Sequence, residues 1–176
     1  MTLRLLPTLA AFLLLLAAPA TARDLTPAEQ TGLENRIDSF ELAFEEGDMG
    51  AVLTVVPPKV IATTAEAYGM TEAQVLAAME QAMTNAMAAV TVEDYEMKLD
   101  AATTGETASG RVYVLIPTTT LIRVGEQGAT RSDTVTLAFP DDGAWYLVRI
   151  DDAEQVRSLT AAYPEFDGVD LSDGKE

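Results

Sequence analysis

The sequence predicts a single α+β domain, with N-terminal helices packed on a curved four-stranded antiparallel meander and a short C-terminal helix. Three observations carry that prediction. Two capping boxes, Thr26-Pro27-Ala28-Glu29 and Thr71-Glu72-Ala73-Gln74, each open a segment whose apolar residues recur at helical spacing. After Val90 the texture changes to runs rich in Val, Thr, Tyr and Leu, separated by TTGET, GEQG and PDDG. Helices followed by a run of strands is the order of an α+β domain, here with the helices laid on one face of the sheet.

Taken in order, Thr26 is an N-cap with Pro27 at the first helical position, and Leu33, Ile37, Phe40 and Phe44 form one apolar stripe that Gly47 is placed to end. Asp48 caps a short second helix, which Pro57-Pro58 should stop. Residues 59–68 put Ile61, Thr64, Ala65 and Tyr68 on one face before Gly69. The next helix runs to about Val90 with Val75, Leu76, Met79, Met83, Met87 and Val90 inward. Exported methionine runs can bind copper(I) or grip apolar partners, but Val75, Leu76 and Val90 continue this stripe, so core packing is the expectation. Strands follow at 92–101, 110–124, 130–139 and 144–150, and PDDG suits a type I turn with Gly143 left-handed. Asp152, with Gln155 three on, caps a last helix that Pro164 ends, and DGVDLSDGKE is expected to be a solvated acidic tail over 167–176.

The chain opens MTLRLLPTLAAFLLLLAAPATARDL, with Arg4, an apolar run from Leu9 to Ala18, Pro19, and the small-residue site Ala20-Thr21-Ala22. That is the pattern of a secretory signal peptide over residues 1–22, and its apolar core is short of the roughly 20 residues a spanning helix needs. The expectation is cleavage near Ala22, a domain over 23–166, and a bacterial protein that is periplasmic or secreted and free of the membrane. With no cysteine in the chain there is neither a lipid-attached cysteine nor a disulfide, so the fold must rest on its core.

Composition removes several function classes. With 11 basic against 28 acidic residues and a formal charge of −17 at pH 7, the chain lacks the Lys and Arg clusters that hold phosphate backbones or anionic lipid. Without histidine it has no nucleophile–histidine hydrolase site and no His-based zinc or iron site. The acidic pairs Glu45-Glu46, Asp141-Asp142 and Asp151-Asp152 lack the spacing of a calcium loop, so they read as turns and caps and no metal or cofactor is expected.

Strand alternation sorts the remaining candidates. Trp145, Leu147 and Arg149 share one face of the last strand, and Tyr146, Val148 and Ile150 the other; Val112, Val114 and Ile116 stand against Arg111, Tyr113 and Leu115. A strand apolar on both faces needs cover on the second one, from the chain's own helices, a twin subunit or a ligand. The strand 133–139 instead reads as semi-exposed, with Thr134, Thr136 and Ala138 on one face. Arg149, a charge among apolar neighbours, either meets an acidic ligand or pairs with a carboxylate such as Asp133, the second being the simpler reading.

Two stretches carry a family resemblance. In FELAFEEGDMGAVLTVV a long first helix breaks at Gly-Asp before a short second one, and VTLAFPDDGAWYLVRI is a hairpin whose final strand has an early Trp. With these the chain resembles the SnoaL-like group of the nuclear-transport-factor-2-like (cystatin-like cone) superfamily over most of residues 26–150. It departs from the pattern where helical residues 57–90 replace a first hairpin and where a helix follows the last strand. The resemblance implies a cone with a pocket, in a superfamily of isomerases, hydratases, cyclases and non-enzymatic modules. It also implies a proton-transfer site in which Asp38 or Asp94 acts as base beside one of Tyr68, Tyr95, Tyr113 and Tyr146.

The functional expectation is an exported soluble binding or interaction module. Trp145, Tyr113, Tyr146 and Arg149 would form its pocket or interface, for a small apolar or weakly acidic ligand or for a homodimer through the sheet. The alternatives are a His-free isomerase or hydratase using Asp38 and a tyrosine, and a structural envelope protein.

Overall fold

Except after Pro57, each described α-helix starts where a side chain replaces a hydrogen-bond partner that the helix end lacks. The computed structural model describes residues 23–126 and 128–171, so the segment read as a signal peptide and residues 172–176 lie outside the described residues. Helix α1 (Pro27–Glu46) opens with a reciprocal box in which Thr26 accepts from the Glu29 amide and Glu29 accepts from the Thr26 amide at 2.8 Å. It ends at Gly47, whose φ of 72° is left-handed. Asp48 accepts from the Ala51 amide at 2.9 Å and starts α2 (Met49–Val52), which passes into a 3₁₀ turn, Leu53–Val55. Pro57-Pro58 does more than stop it: Pro58 is the first residue of α3 (Pro58–Tyr68). The Thr71 box then opens α4 (Glu72–Ala88).

The sheet has five strands in four lanes. Strand β3 (Val112–Arg123) pairs with β4 (Thr130–Asp141), which pairs with β5 (Ala144–Arg149), all antiparallel. The outer lane beside β3, expected as one strand over 92–101, is split into β1 (Thr91–Met97) and β2 (Thr103–Glu106) by a 3₁₀ turn at Leu99–Ala101. The break falls beside Ile116 and Pro117, between the pairs Met97 with Thr118 and Thr103 with Leu115. Proline has no N–H to give the ladder, so the lane yields there. At the β4–β5 hairpin Asp142 and Gly143 have φ of 47° and 80°, a two-residue loop with the positive φ pair of type I′ rather than the type I turn expected.

Helices cover both faces of this sheet, not one. On the first face α1 lays Leu33 and Ile37 on Val114, Ile116, Ala138, Trp145 and Leu147. On the second, α5 (Ala153–Ala162) and the 3₁₀ turn Pro164–Phe166 bring Leu159, Tyr163 and Phe166 onto Leu115, Val135, Leu137, Phe139 and Ile150. Strand β4, expected to be semi-exposed, is therefore buried on both faces from Thr134 to Phe139. The second face of β5 is covered by the chain's own helix. Val169 and Leu171, in the segment read as a solvated tail, also pack on this cluster.

A charged network pins the second layer. Asp141 accepts from the Tyr163 hydroxyl at 2.9 Å and pairs with Lys59 at 3.1 Å and Arg111 at 3.2 Å, while Arg111 also holds Glu165 at 2.9 Å and the Pro140 carbonyl. Burial pushes the Asp141 carboxyl up, but hydrogen bonds from Lys59, Tyr163 and Arg111 outweigh it and hold the group below the usual carboxylate range. Four distant parts of the chain meet at this one carboxylate.

Helix α4 differs most from its expected packing. Only Val75 is buried; Leu76 is 38% exposed, and Met79, Met83 and Met87 are half-buried. On α3, Tyr68 is exposed rather than inward. The methionine stripe packs at the margin of the core, Met79 on Ile61, Ala65 and Val75 and Met83 and Met87 on Ala43, Met49 and Val52, and its C-terminal half also faces a cavity.

Candidate ligand pocket

The cavity, of about 370 Å³, lies between α1, α2, α4 and the far half of the first sheet face. Phe40 and Phe44 of α1, Val52 and Val55 after it, and Met83 and Met87 of α4 form its apolar walls. The alternation of β3 and β4 lays Thr118, Thr120, Thr134 and Thr136 on its floor. Thr118 donates to the Ile116 carbonyl at 3.1 Å and its oxygen stands 2.9 Å from that of Thr136, so these two hydroxyls are partly satisfied within the floor.

A bulge shapes the remaining wall. In β1 the register slips between Val92, opposite Ile122, and Asp94, opposite Leu121. Residues three apart on a regular strand point to opposite faces, yet Val92 and Tyr95 both line the cavity because of that extra residue. Tyr95 packs against Phe44 at 5.2 Å and Phe40 at 5.6 Å between ring centroids. Burial raises the Tyr95 hydroxyl pKa, Glu41 adds to the rise and Arg149 opposes it, so the phenol stays protonated.

Next to the cavity is an open recess edged by Glu41, Glu45, Glu93 and Asp94, with Phe44, Met87, Val92 and Tyr95 common to both. Burial, then the neighbouring Asp38 and Glu45, raise the Glu41 carboxyl above its ordinary value. Among the described residues no group of three or more His, Cys, Asp or Glu is placed to hold a metal.

The residues expected to form the site do not converge. Trp145 is 7% exposed, packed in the core against Gly32, where an added Cβ would stand 3.0 Å from its ring. Its carbonyl accepts from Arg36 at 2.6 Å. Tyr113 lies on the opposite face, over Gly105 and edge-on to Phe166 at 5.9 Å. Tyr146 is also on that side, with the Arg36 guanidinium 5.7 Å from its ring. Of the four only Arg149 lines the cavity. Its carboxylate partner is Asp151 rather than Asp133, which Arg131 and Thr119 hold instead. Asp38 is exposed and does not line the cavity; Asp94 edges the recess, and Tyr95 is the tyrosine that reaches both.

Sequence reasoning missed the floor and the aromatic wall. A signal was present in the threonines, since Thr118, Thr120, Thr134 and Thr136 put hydroxyls on a face otherwise built from Val114, Ile116 and Ala138. Core positions seldom take four hydroxyls unless they border a space. Comparison of the chain with family models, with curated proteins and with solved structures gives no match.

Proposed function

We propose that the protein is an exported, soluble binding module that holds one small, mainly apolar molecule in the cavity beneath α1 and α4. The observation that carries this is the cavity itself. At about 370 Å³ it falls in the range of small-molecule sites, roughly 300–1,000 Å³, and its walls are apolar with a few convergent polar groups. Those groups are the floor threonines, the protonated Tyr95 hydroxyl and Arg149. The export part of the reading rests on the pattern of residues 1–22, and the likeness to SnoaL-like domains rests on the order of elements.

The test uses the neutral dye N-phenyl-1-naphthylamine, whose emission rises in apolar surroundings, with the chain from Arg23 onward. Thr120 faces the cavity directly opposite Tyr95, and phenylalanine suits a strand, so Thr120→Phe fills the space without breaking the sheet. Saturable one-to-one enhancement is expected in the native protein, with affinity at least about tenfold weaker in Thr120→Phe. Equal enhancement in both proteins would place the dye elsewhere and refute the assignment.

A further inference from the structure

The cavity and its mouth differ in chemistry, and the border between them is aromatic. Phe40, Phe44 and Tyr95 stand ring to ring, with centroids 5.9, 5.6 and 5.2 Å apart. Phe44 and Tyr95 belong both to the cavity and to the recess outside it. Among the described residues no lysine or arginine lines that recess, whose charged residues are Glu41, Glu45, Glu93 and Asp94.

The balance of charge at this border can be followed group by group. Glu93 is paired with Arg123, whose Nε donates to it at 2.6 Å. Glu41, Glu45 and Asp94 edge the same recess and make no ion pair among the described residues. Arg149, the one basic residue among the described residues that line the cavity, lies at its solvent-facing margin with its side chain 56% exposed, and it already has Asp151 as its counter-ion. At the Tyr95 hydroxyl the influence of Glu41 exceeds the opposing one of Arg149.

An anion at this border meets three carboxylates that have no ion-pair partner among the described residues, and the guanidinium at the cavity margin is already paired with Asp151. A cation meets the opposite conditions, because carboxylates at the mouth raise its local concentration and the faces of the aromatic rings attract it. The apolar space behind the rings then suits the remainder of the molecule.

We propose that the occupant is a lipophilic cation, with its apolar body on the threonine floor and its ammonium group held at Phe44 and Tyr95 beside the carboxylates of Glu41 and Glu45. This assignment rests on the reading of the cavity as a small-molecule site and specifies the chemical class. It replaces the weakly acidic ligand that Arg149 suggested from the sequence, since that arginine's charge is already met.

The deciding experiment displaces N-phenyl-1-naphthylamine with three molecules that share a ten-carbon chain and differ in charge: decyltrimethylammonium and decanoate, each below its micellar concentration, and decanol below its solubility limit. Decyltrimethylammonium is expected to displace the dye at about tenfold lower concentration than decanol, with decanoate weakest. Added salt should shrink that preference by screening the exposed carboxylates. In a Glu41→Gln, Glu45→Gln double variant the ratio of the ammonium to the alcohol should fall toward one, and taking the ratio within each protein cancels any general change in the cavity. Decanoate matching or exceeding the ammonium would overturn the proposal, as would an unchanged ratio in the double variant. Dye binding with three equal displacers removes the cation and leaves the binding site; no dye binding by the native protein removes both.

Discussion

Replacing Asp141 by asparagine separates the charge of the network from its shape. The variant loses the ion pairs to Arg111 at 3.2 Å and Lys59 at 3.1 Å, but its remaining amide oxygen can still accept from Tyr163. Lys59 is 53% exposed, so solvent screens its pair to about 0.5 kcal/mol. The Arg111 pair is sheltered, with side-chain exposures of 21% and 10%, and hydrogen bonds to charged groups there contribute about 1.5–3 kcal/mol. Because Arg111 keeps Glu165 and the Pro140 carbonyl, no charge is stranded and the lower end applies. The expected loss is about 2 kcal/mol, or roughly 4–8 °C in Tm for a domain of this size. The Asp141 pKa is lowered by folding, so its stabilisation is fully present above the unfolded value near about 3.9 and is lost as pH falls through the folded value. Urea unfolding followed by the fluorescence of Trp145 should therefore show the full deficit near about pH 7 and a smaller one near about pH 3. A deficit that is the same at both, or absent at the higher pH, would refute the account. Lys59→Met serves as the control and should lose no more than about 0.5 kcal/mol.

Other substitutions isolate single contacts. A Cβ at Gly105 would stand 2.1 Å from the Tyr113 ring, so Gly105→Ala must drive that ring off its seat and away from Phe166, at a cost of about 1–3 kcal/mol in a urea melt. Tyr113→Ala in the same chain should remove most of the additional penalty, which a double-mutant cycle reads directly. At Gly47, φ is 72° with nothing within 4 Å of a built Cβ, so Gly47→Ala tests backbone strain alone and should lower stability by about 1–2 kcal/mol, against no change if the helix end relaxes. Native mass spectrometry of protein recovered from a periplasmic fraction without refolding should show extra mass that leaves under mild activation. Bare chain alone, at a protein concentration where added dye binds, would count against a retained ligand.

Legibility in the sequence followed the distance over which each feature is determined. The boxes at Thr26 and Thr71 and the caps at Asp48 and Asp152 are settled within four residues, and each formed as expected. The α+β order and the meander were readable for the same reason. The site was not, because it depends on which faces meet. Trp145 and Tyr146 are neighbours on one strand and so point apart, Trp145 into the core under α1 and Tyr146 half-buried on the other side, so their aromatic density marked no single pocket. The cavity wall depends on one extra residue in β1, which reverses the alternation that placed every other strand side chain. Asp38 lies one residue from the apolar stripe, yet a step of 100° along the helix is enough to put it in solvent.

That same extra residue bears on what this edge of the sheet offers to another chain. Strand β1 is the outermost lane at its end of the sheet, and a regular strand there would offer a second chain a straight row of amides and carbonyls to pair with. Here the lane is kinked between Val92 and Asp94, ends after seven residues, and presents Glu93, Asp94 and Glu96 as exposed carboxylates. Copies approaching along β1 meet misaligned donors and repelling charge, so the device that aims Tyr95 inward also makes this edge a poor template for strand pairing.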